Sequence, residues 1–343
     1  MRISLDAMGG DHAPRMVVEG AGIALKRFPD TRFLLFGDEK ILRPLLGEFP
    51  AVASASELRH TPDAIAGDAK PTVALRTGRN SSMRLAINAV HAGEADGVVS
   101  AGNTGALMTM AKFALKTLAT IDRPAIGAFF PTLRGESVML DLGANVVCDA
   151  NNLVQFAVMG EAFARTVLGV HLPTFGILNV GSEELKGHEE VRAAAAFLRA
   201  GPLAEQFHGF VEGNDITAGT TDVVVTDGFT GNVALKTAEG TARLYSEFLR
   251  GAFRSSLLAK LGYLFARHAV VKVRERTDPR RYNGAMFLGL NGIVVKSHGG
   301  TDGLGFANAI CVAIDMAANR INDRIRDDLG RLAGTPRSEA ALG

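Results

Sequence analysis

The chain has 343 residues, of which 47% are hydrophobic and 21% charged, with a formal net charge of +1 at pH 7. That balance is ordinary for a folded globular protein and gives no electrostatic reason to expect a nucleic-acid partner. No run approaches the ~18 apolar residues of a spanning helix, and a strand begins almost at once, so no signal peptide and a cytoplasmic location are expected. Strand-like runs occur at residues 3–6, 33–37, 97–100, 126–130, 137–142, 175–180, 209–212, 223–227 and 293–297. Helix-period patterns follow many of them, at 15–28, 83–91, 105–117, 153–168, 191–199 and 306–326. This alternation predicts an α/β fold, an open and mostly parallel sheet flanked by helices, as a single domain over 1–330. Residues 331–343 are expected to form a disordered tail.

One region breaks the rhythm. From 237 to 281 no strand is legible, and Leu244, Phe248, Leu249, Phe253, Leu257, Leu258, Leu261, Leu264 and Phe265 fall near helical spacing. Ten Lys or Arg residues lie between Arg243 and Arg281 against three acids, a local excess of seven positive charges in a nearly neutral chain. Three readings compete: a helical pair packed on its own domain, a dimer interface, and a tip that touches an anionic lipid surface. Leu257, Leu258, Leu261 and Leu264, flanked by Arg254, Lys260 and Arg267, are the candidate membrane-contact residues.

The polar turns sit where these strands end. The run Ile3-Ser4-Leu5-Asp6-Ala7-Met8-Gly9-Gly10-Asp11-His12-Ala13-Pro14 is a short buried strand, an acid, a glycine turn and the start of a helix. Free backbone N–H groups and a helix dipole at such a turn favour an anion. The first strand is therefore expected near the middle of the sheet, with its carboxyl end at the ligand crevice. Ser100-Ala101-Gly102-Asn103-Thr104-Gly105 repeats the arrangement, and the competing reading is a tight turn with a helix cap. Ser81 precedes a third helix. Lys186 follows the strand that ends in Asn179-Val180-Gly181 and can neutralise an oxyanion, or it is a solvated loop lysine. Asn214, Asp227 and Asn232 lie in two further turns and can position a substrate or orient Lys236; as turn residues they have a structural reading too. His12 and His298 are candidate donors. Cys148 and Cys311 have neither metal nor redox spacing and read as buried thiols.

Absent motifs narrow the chemistry. There is no Gly-x-Ser-x-Gly elbow, no P-loop and no Gly-x-Gly-x-x-Gly fingerprint. His188-Glu189-Glu190-Val191-Arg192 approaches a zinc-protease pattern but has Arg192 where the second histidine must stand. No metal site and no cofactor are expected.

Five blocks in order resemble the bacterial acyl-acyl carrier protein:phosphate acyltransferases, the PlsX family. They are Asp6-Ala7-Met8-Gly9-Gly10-Asp11-His12-Ala13-Pro14, Asn80-Ser81-Ser82-Met83, Ser100-Ala101-Gly102-Asn103-Thr104-Gly105-Ala106, Asn179-Val180-Gly181-Ser182-Glu183-Glu184-Leu185-Lys186-Gly187, and Asp227-Gly228-Phe229-Thr230-Gly231-Asn232. The resemblance spans about residues 1–325. It implies a Rossmann-like sheet of the isocitrate/isopropylmalate dehydrogenase type. It also implies transfer of a long-chain acyl group from acyl-acyl carrier protein to inorganic phosphate, giving acyl phosphate for phospholipid synthesis. A homodimer, peripheral membrane contact and a downstream membrane glycerol-3-phosphate acyltransferase belong to the same implication. On this reading Gly9, Gly10, Gly102, Asn103, Thr104 and Gly105 cradle phosphate, with Asp11, Ser81, Ser100, Asn214, Asn232 and Lys236 as further binding residues. Asn103 and Lys186 stabilise developing charge, His12 and His298 are secondary donors, and Asp6 and Asp227 orient the others. A phosphotransacylase that uses acyl-CoA, a metal-dependent decarboxylating dehydrogenase and a non-catalytic membrane-associated scaffold remain the alternatives.

Overall fold

The computed structural model describes residues 1–276, 278 and 280–333. The expected tail lies outside the described residues from 334 onward. The first part of the chain forms β1 (Arg2–Asp6), α1 (Arg15–Arg27), β2 (Arg32–Gly37), α2 (Glu39–Glu48), α3 (Pro50–Ala55), β3 (Ser56–His60), α4 (Pro71–Thr77), α5 (Ser82–His91), β4 (Gly97–Ser100) and α6 (Thr104–Leu115). The middle forms β5 (Ala125–Thr132), β6 (Gly135–Leu140), α7 (Ala150–Phe163), β7 (Phe175–Leu178), α8 (Glu189–Ala200), β8 (Phe207–Val211), α9 (Gly213–Ala218) and β9 (Val223–Val225). Then come α10 (Gly228–Arg254), α11 (Leu257–Arg276), β10 (Ala285–Leu288), β11 (Ile293–Lys296), α12 (Gly303–Ala318) and α13 (Ile321–Ala333).

All eleven strands belong to one sheet in the order β3-β2-β1-β4-β11-β10-β5-β6-β9-β7-β8. Parallel pairing joins β3, β2, β1, β4 and β11 on one side and β6, β9, β7 and β8 on the other. Between them β11–β10, β10–β5 and β5–β6 are antiparallel. An odd number of reversals means that the two parallel halves run in opposite directions. Their carboxyl ends therefore open on opposite edges of the sheet. The chain order reverses at β1, with β2 on one side and β4 on the other, which is the kind of switch point where α/β sheets bind ligands.

Side chains alternate between two cores, as the period of a strand requires. Phe33, Leu35, Val99 and Val295 enter the core shared with α1, α7 and α12, while Leu34, Phe36, Val98 and Val294 enter the one shared with α5 and α6. Ser4 points to the second core and is satisfied there, its hydroxyl donating to the Ala86 carbonyl at 2.8 Å. Acidic N-caps start several helices at strand ends, including Asp38 on α2, Asp149 on α7, Asp227 on α10 and Asp302 on α12. Each side chain accepts from a backbone N–H that the helix leaves unpaired.

Some elements differ from the sequence expectation. β3 is a half-exposed edge strand, Ser-Glu-Leu-Arg-His, with no apolar run to announce it. β10, four residues just past the basic segment, is a strand that the sequence reading did not expect. The pattern at 306–326 is two helices, broken where Arg320 takes a left-handed φ of 52°. The pattern at 153–168 begins at Ala150 and closes in a π-helical turn over Ala164–Leu168. The basic region is a pair of successive helices that starts earlier than 237. Of α10 only Gly228 and Gly231 are buried, and Phe253 meets Tyr263 of α11 edge-on at 5.2 Å. Leu244, Phe248, Leu257, Leu258, Leu261, Leu264 and Phe265 are all exposed. Among the described residues no single helix is long and apolar enough to cross a membrane.

The root and shaft of α10 differ in a testable way. A Cβ on Gly231 would lie 1.9 Å from the Asp141 carbonyl oxygen, whereas nothing stands within 4 Å of a Cβ on Gly240. Gly231→Ala is expected to destabilise the protein by at least ~1–3 kcal/mol, and Gly240→Ala to stabilise it by roughly 0.4–1 kcal/mol. Urea midpoints check both; equal midpoints would refute the packing at the root.

Candidate active site

Asp6, the last residue of β1, is 1% exposed. One carboxylate oxygen accepts from Ser82 Oγ at 2.6 Å and the other from Ser100 Oγ at 2.6 Å. Ser100 in turn accepts from the Gly102 N–H at 3.0 Å. The carboxylate thus joins the end of β1, the start of α5 and the turn after β4. Burial pushes its pKa up, and the two serine hydroxyls, the Met8 N–H and the Lys296 charge partly restore it.

The two glycine turns touch. A Cβ on Gly9 would lie 2.4 Å from Asp6 Oδ2 and 2.8 Å from the Gly102 nitrogen, so only glycine fits. Gly10 has φ +109°, a conformation open to residues without a side chain. The loop after β11 completes the group. The Asp11 N–H donates to the Gly299 carbonyl at 2.9 Å. Asn283 donates to Ser297 Oγ and the Gly305 carbonyl, and accepts from the His298 N–H at 2.8 Å. Among the described residues, the backbone N–H groups of Gly9, Gly10, Asn103, Thr104 and Gly105 have no hydrogen-bond acceptor. Five such donors at adjacent strand ends, two of them in the first turn of α6, form a set suited to an anion.

Lys296 ends β11 and is 8% exposed. Its ammonium donates to the carbonyls of Ala101, at 3.3 Å, and Ser297. Burial pulls its pKa down to about 8, against the attraction of Asp6 and Asp11.

A second polar group occupies the opposite edge, at the carboxyl ends of β6, β7 and β9. Asp141 is fully buried and accepts from the N–H groups of Ile126, Ala144 and Asn145 and from Asn145 Nδ2. Burial raises its pKa and also pushes the nearby Cys148 thiol up to about 11, which keeps that thiol protonated. The Gly228 N–H donates to the Asn145 carbonyl at 2.7 Å and seats the start of α10 on this loop. Asp227 accepts from the N–H and hydroxyl of Thr230, both at 2.8 Å. Exposed Asn232 lies beside Gly143. Lys186 is exposed, its Nζ 3.7 Å from Glu183, in a loop braced by Asn179 donating to the Lys186 carbonyl.

The structure therefore brings together Asp6, Gly9, Gly10, Asp11, Ser100, Gly102, Asn103, Thr104, Gly105 and His298, with exposed His12 in the same turn. It does not bring Lys186, Asn214, Asp227, Asn232 or Lys236 to them within one chain. No hydrogen bond or ion pair joins the two groups among the described residues, and β4 and β9 stand five places apart in the sheet, about 24 Å at the usual strand spacing. The reason is the three antiparallel pairings at the sheet centre.

Individual expectations also shift. Asn103 caps α6 by accepting from the Ala106 N–H, and its amide donates to the Gly67 and Ala69 carbonyls. Both amide hydrogens are engaged, so its free donor is the backbone N–H. Ser81 is a buried cap of α5 that donates to the Gly78 carbonyl, and its neighbour Ser82 is the one that holds Asp6. Lys236 pairs with Glu239 at 2.7 Å on the exposed face of α10, and Asn214 sits exposed on α9. Sequence reasoning missed Ser82, Lys296, Asn283, Asp141 and Asn145. Lys296 had a signal, since a lysine directly after Ile293-Val294-Val295 continues a buried strand.

A family model described as "Fatty acid synthesis protein" matches residues 1–324. The chain belongs to this family. A relative from Rhodospirillum centenum named phosphate acyltransferase is 71% identical over 330 residues, covering 96% of this chain and 93% of its own. Members of the family this similar are acyltransferases, and so is this chain. In fold it is similar to a phosphotransacetylase from Streptococcus pyogenes, with TM-score 0.61 and 17% identity over 93% of this chain and 94% of that one. It is also similar to a putative 4-hydroxythreonine-4-phosphate dehydrogenase from Salmonella typhimurium, with TM-score 0.53 and 14% identity over 92% and 99%. The open, mostly parallel sheet is thus shared with phosphotransacylase and dehydrogenase folds.

Asp6 yields a pH prediction. Its raised pKa means that the folded chain keeps the proton to higher pH than the unfolded chain. The stability it contributes is therefore largest when protonated and falls as pH rises from the usual carboxylate value, about 3.9, through the raised folded pKa. Asp6→Asn removes that fall. The variant's stability relative to the wild type is expected to be greater at neutral than at acid pH, as read by urea titration. A parallel pH dependence in both proteins would refute the assignment.

Proposed function

We propose that this acyltransferase moves a long-chain acyl group from acyl-acyl carrier protein to inorganic phosphate, releasing acyl phosphate for phospholipid synthesis. The observation that carries the reading is the set of unpaired N–H donors on Gly9, Gly10, Asn103, Thr104 and Gly105 at the β1 and β4 carboxyl ends. A phosphate oxygen attacks the thioester carbonyl carbon, the C–S bond breaks, and the hydrogenphosphate proton ends on the released thiol. A thiol of pKa about 8.5 leaves readily, so the chain needs no covalent nucleophile. It needs to hold phosphate against the carbonyl and stabilise the tetrahedral oxyanion. Gly10 and Gly105 belong to the phosphate seat, and exposed His12 and His298 border it as secondary donors.

Lys186, Asp227 and Asn232 are the proposed groups for the acyl carbonyl. They stand on the opposite edge of the same chain, so acting on one transfer requires two copies. The proposed homodimer supplies them, with the exposed faces of α10 and α11 as its contact. The leucines at the turn between these helices, with Arg254 and Lys260, are the proposed reversible membrane contact.

The deciding experiment is phosphate-dependent thiol release from palmitoyl-acyl carrier protein, with acyl phosphate identified by mass spectrometry. Release without phosphate, or an acyl group trapped on the protein, would refute the mechanism, and a preference for palmitoyl-CoA would replace the carrier as donor. Lys186→Ala is expected to lower turnover ~100-fold or more, the scale of losing one oxyanion-stabilising group. Mixing Lys186→Ala with Gly10→Ala chains, the latter carrying a side chain where φ is +109°, should restore activity that neither has alone; no recovery in a confirmed mixed dimer would remove the two-copy site. Reversing charge at Arg254 and Lys260 should abolish liposome binding and leave turnover intact, whereas a raised KM for the carrier would reassign these helices to carrier docking.

A further inference from the structure

Lys296 is a buried amine that the scheme above leaves without a role. Its surroundings are electron-rich: the carbonyls of Ala101 and Ser297 point at its ammonium, and the carboxylates of Asp6 and Asp11 face it. Ala101 belongs to the turn that ends in Asn103, Thr104 and Gly105. Ser297 belongs to the turn whose Gly299 carbonyl holds the Asp11 N–H. Without a cation between them, two carbonyl dipoles and two carboxylates would sit behind the N–H donors and repel an incoming anion. With it, the three turns are tied at one point and their negative ends are neutralised.

We propose that Lys296 is a positioning residue for phosphate, its ammonium tying the Ala101 and Ser297 carbonyls so that the turns after β1, β4 and β11 present their N–H donors to one dianion. The proposal rests on the phosphate reading of this site and names the group that sets its affinity. A merely structural lysine would move binding and stability together. This one separates them. Its lowered pKa means that burial disfavours the charged form, so the fold gains stability as pH rises from about 8 to the ordinary value of 10.5. Phosphate affinity must fall over the same interval, as the ammonium is lost. The groups facing Lys296 are Asp6 and Asp11, both carboxylates, and on its own loop exposed His298 stands two residues on. Inorganic phosphate is already mostly a dianion there.

The test is calorimetric binding of inorganic phosphate to the full chain, with urea midpoints recorded alongside, from neutral to alkaline pH. The dissociation constant is expected to rise through about pH 8 while the midpoint also rises. Lys296→Gln is expected to weaken phosphate roughly 10- to 100-fold, the scale of a lost charged hydrogen bond, and to flatten the pH dependence. Lys296→Ala is expected to regain affinity with added propylammonium, and KM for the acyl donor should stay unchanged in both variants. The wild-type series needs no substitution and stands even if a variant fails to fold. A dissociation constant flat with pH, or affinity and stability falling together, would overturn the proposal. Thiol release that ignores phosphate would overturn the acyl-transfer reading instead, and pH-dependent phosphate binding would still support Lys296.

Discussion

A carboxylate shut away from water is the constraint on which the rest of this site depends. Asp6 cannot be buried without donors, because an unpaired charge in that position would cost several kcal/mol. Ser82 and Ser100 provide them, and each belongs to a different segment. Satisfying one side chain therefore fixes where α5 begins and how the β4 turn lies against the β1 turn. Gly9 must then be glycine, since the carboxylate and the Gly102 nitrogen leave no room for a Cβ. The N–H groups left open around it are a product of that packing.

The second organising fact is directional. Parallel strands gather their carboxyl ends on one edge, and helix N-termini follow there. The antiparallel hairpin of β5 and β6 together with β10 turns the second half of the sheet over. One sheet thus carries two carboxyl-end clusters that share no edge: a buried acid with serines and a lysine on one, a buried acid with asparagine and the root of α10 on the other. The two clusters are alike chemically as well, since Asp6 ends β1, Asp141 directly follows β6, and burial raises the pKa of both.

Much of this is legible in the residues, for stated reasons. β1 announces itself because an apolar run stops at an acid and two glycines, and β4 because Gly102 and Gly105 bracket a cap. The long basic helices show as apolar spacing without strands. What hides is whatever depends on partners distant in sequence. β3 is polar because it lies on an edge, so no pattern marks it. The choice between Ser81 and Ser82 turns on which hydroxyl faces a carboxylate more than seventy positions away. Asn103 looks like an oxyanion donor until Gly67 and Ala69 take its amide. Above all, the direction of each half-sheet follows from strand pairing, which single-residue chemistry does not encode.

The length of α10 has a consequence of its own. Its 27 residues span about 40 Å at the usual helical rise, with Asp227 at the near end and the leucine-rich turn at the far one. A body standing that far off can be decorated freely. Apolar, basic or neutral surfaces can be exchanged at the outer end by sequence drift without altering a single contact around Asp141, and the inner end can be refined without disturbing the outer one. The rod makes its two ends separately evolvable within one uninterrupted helix.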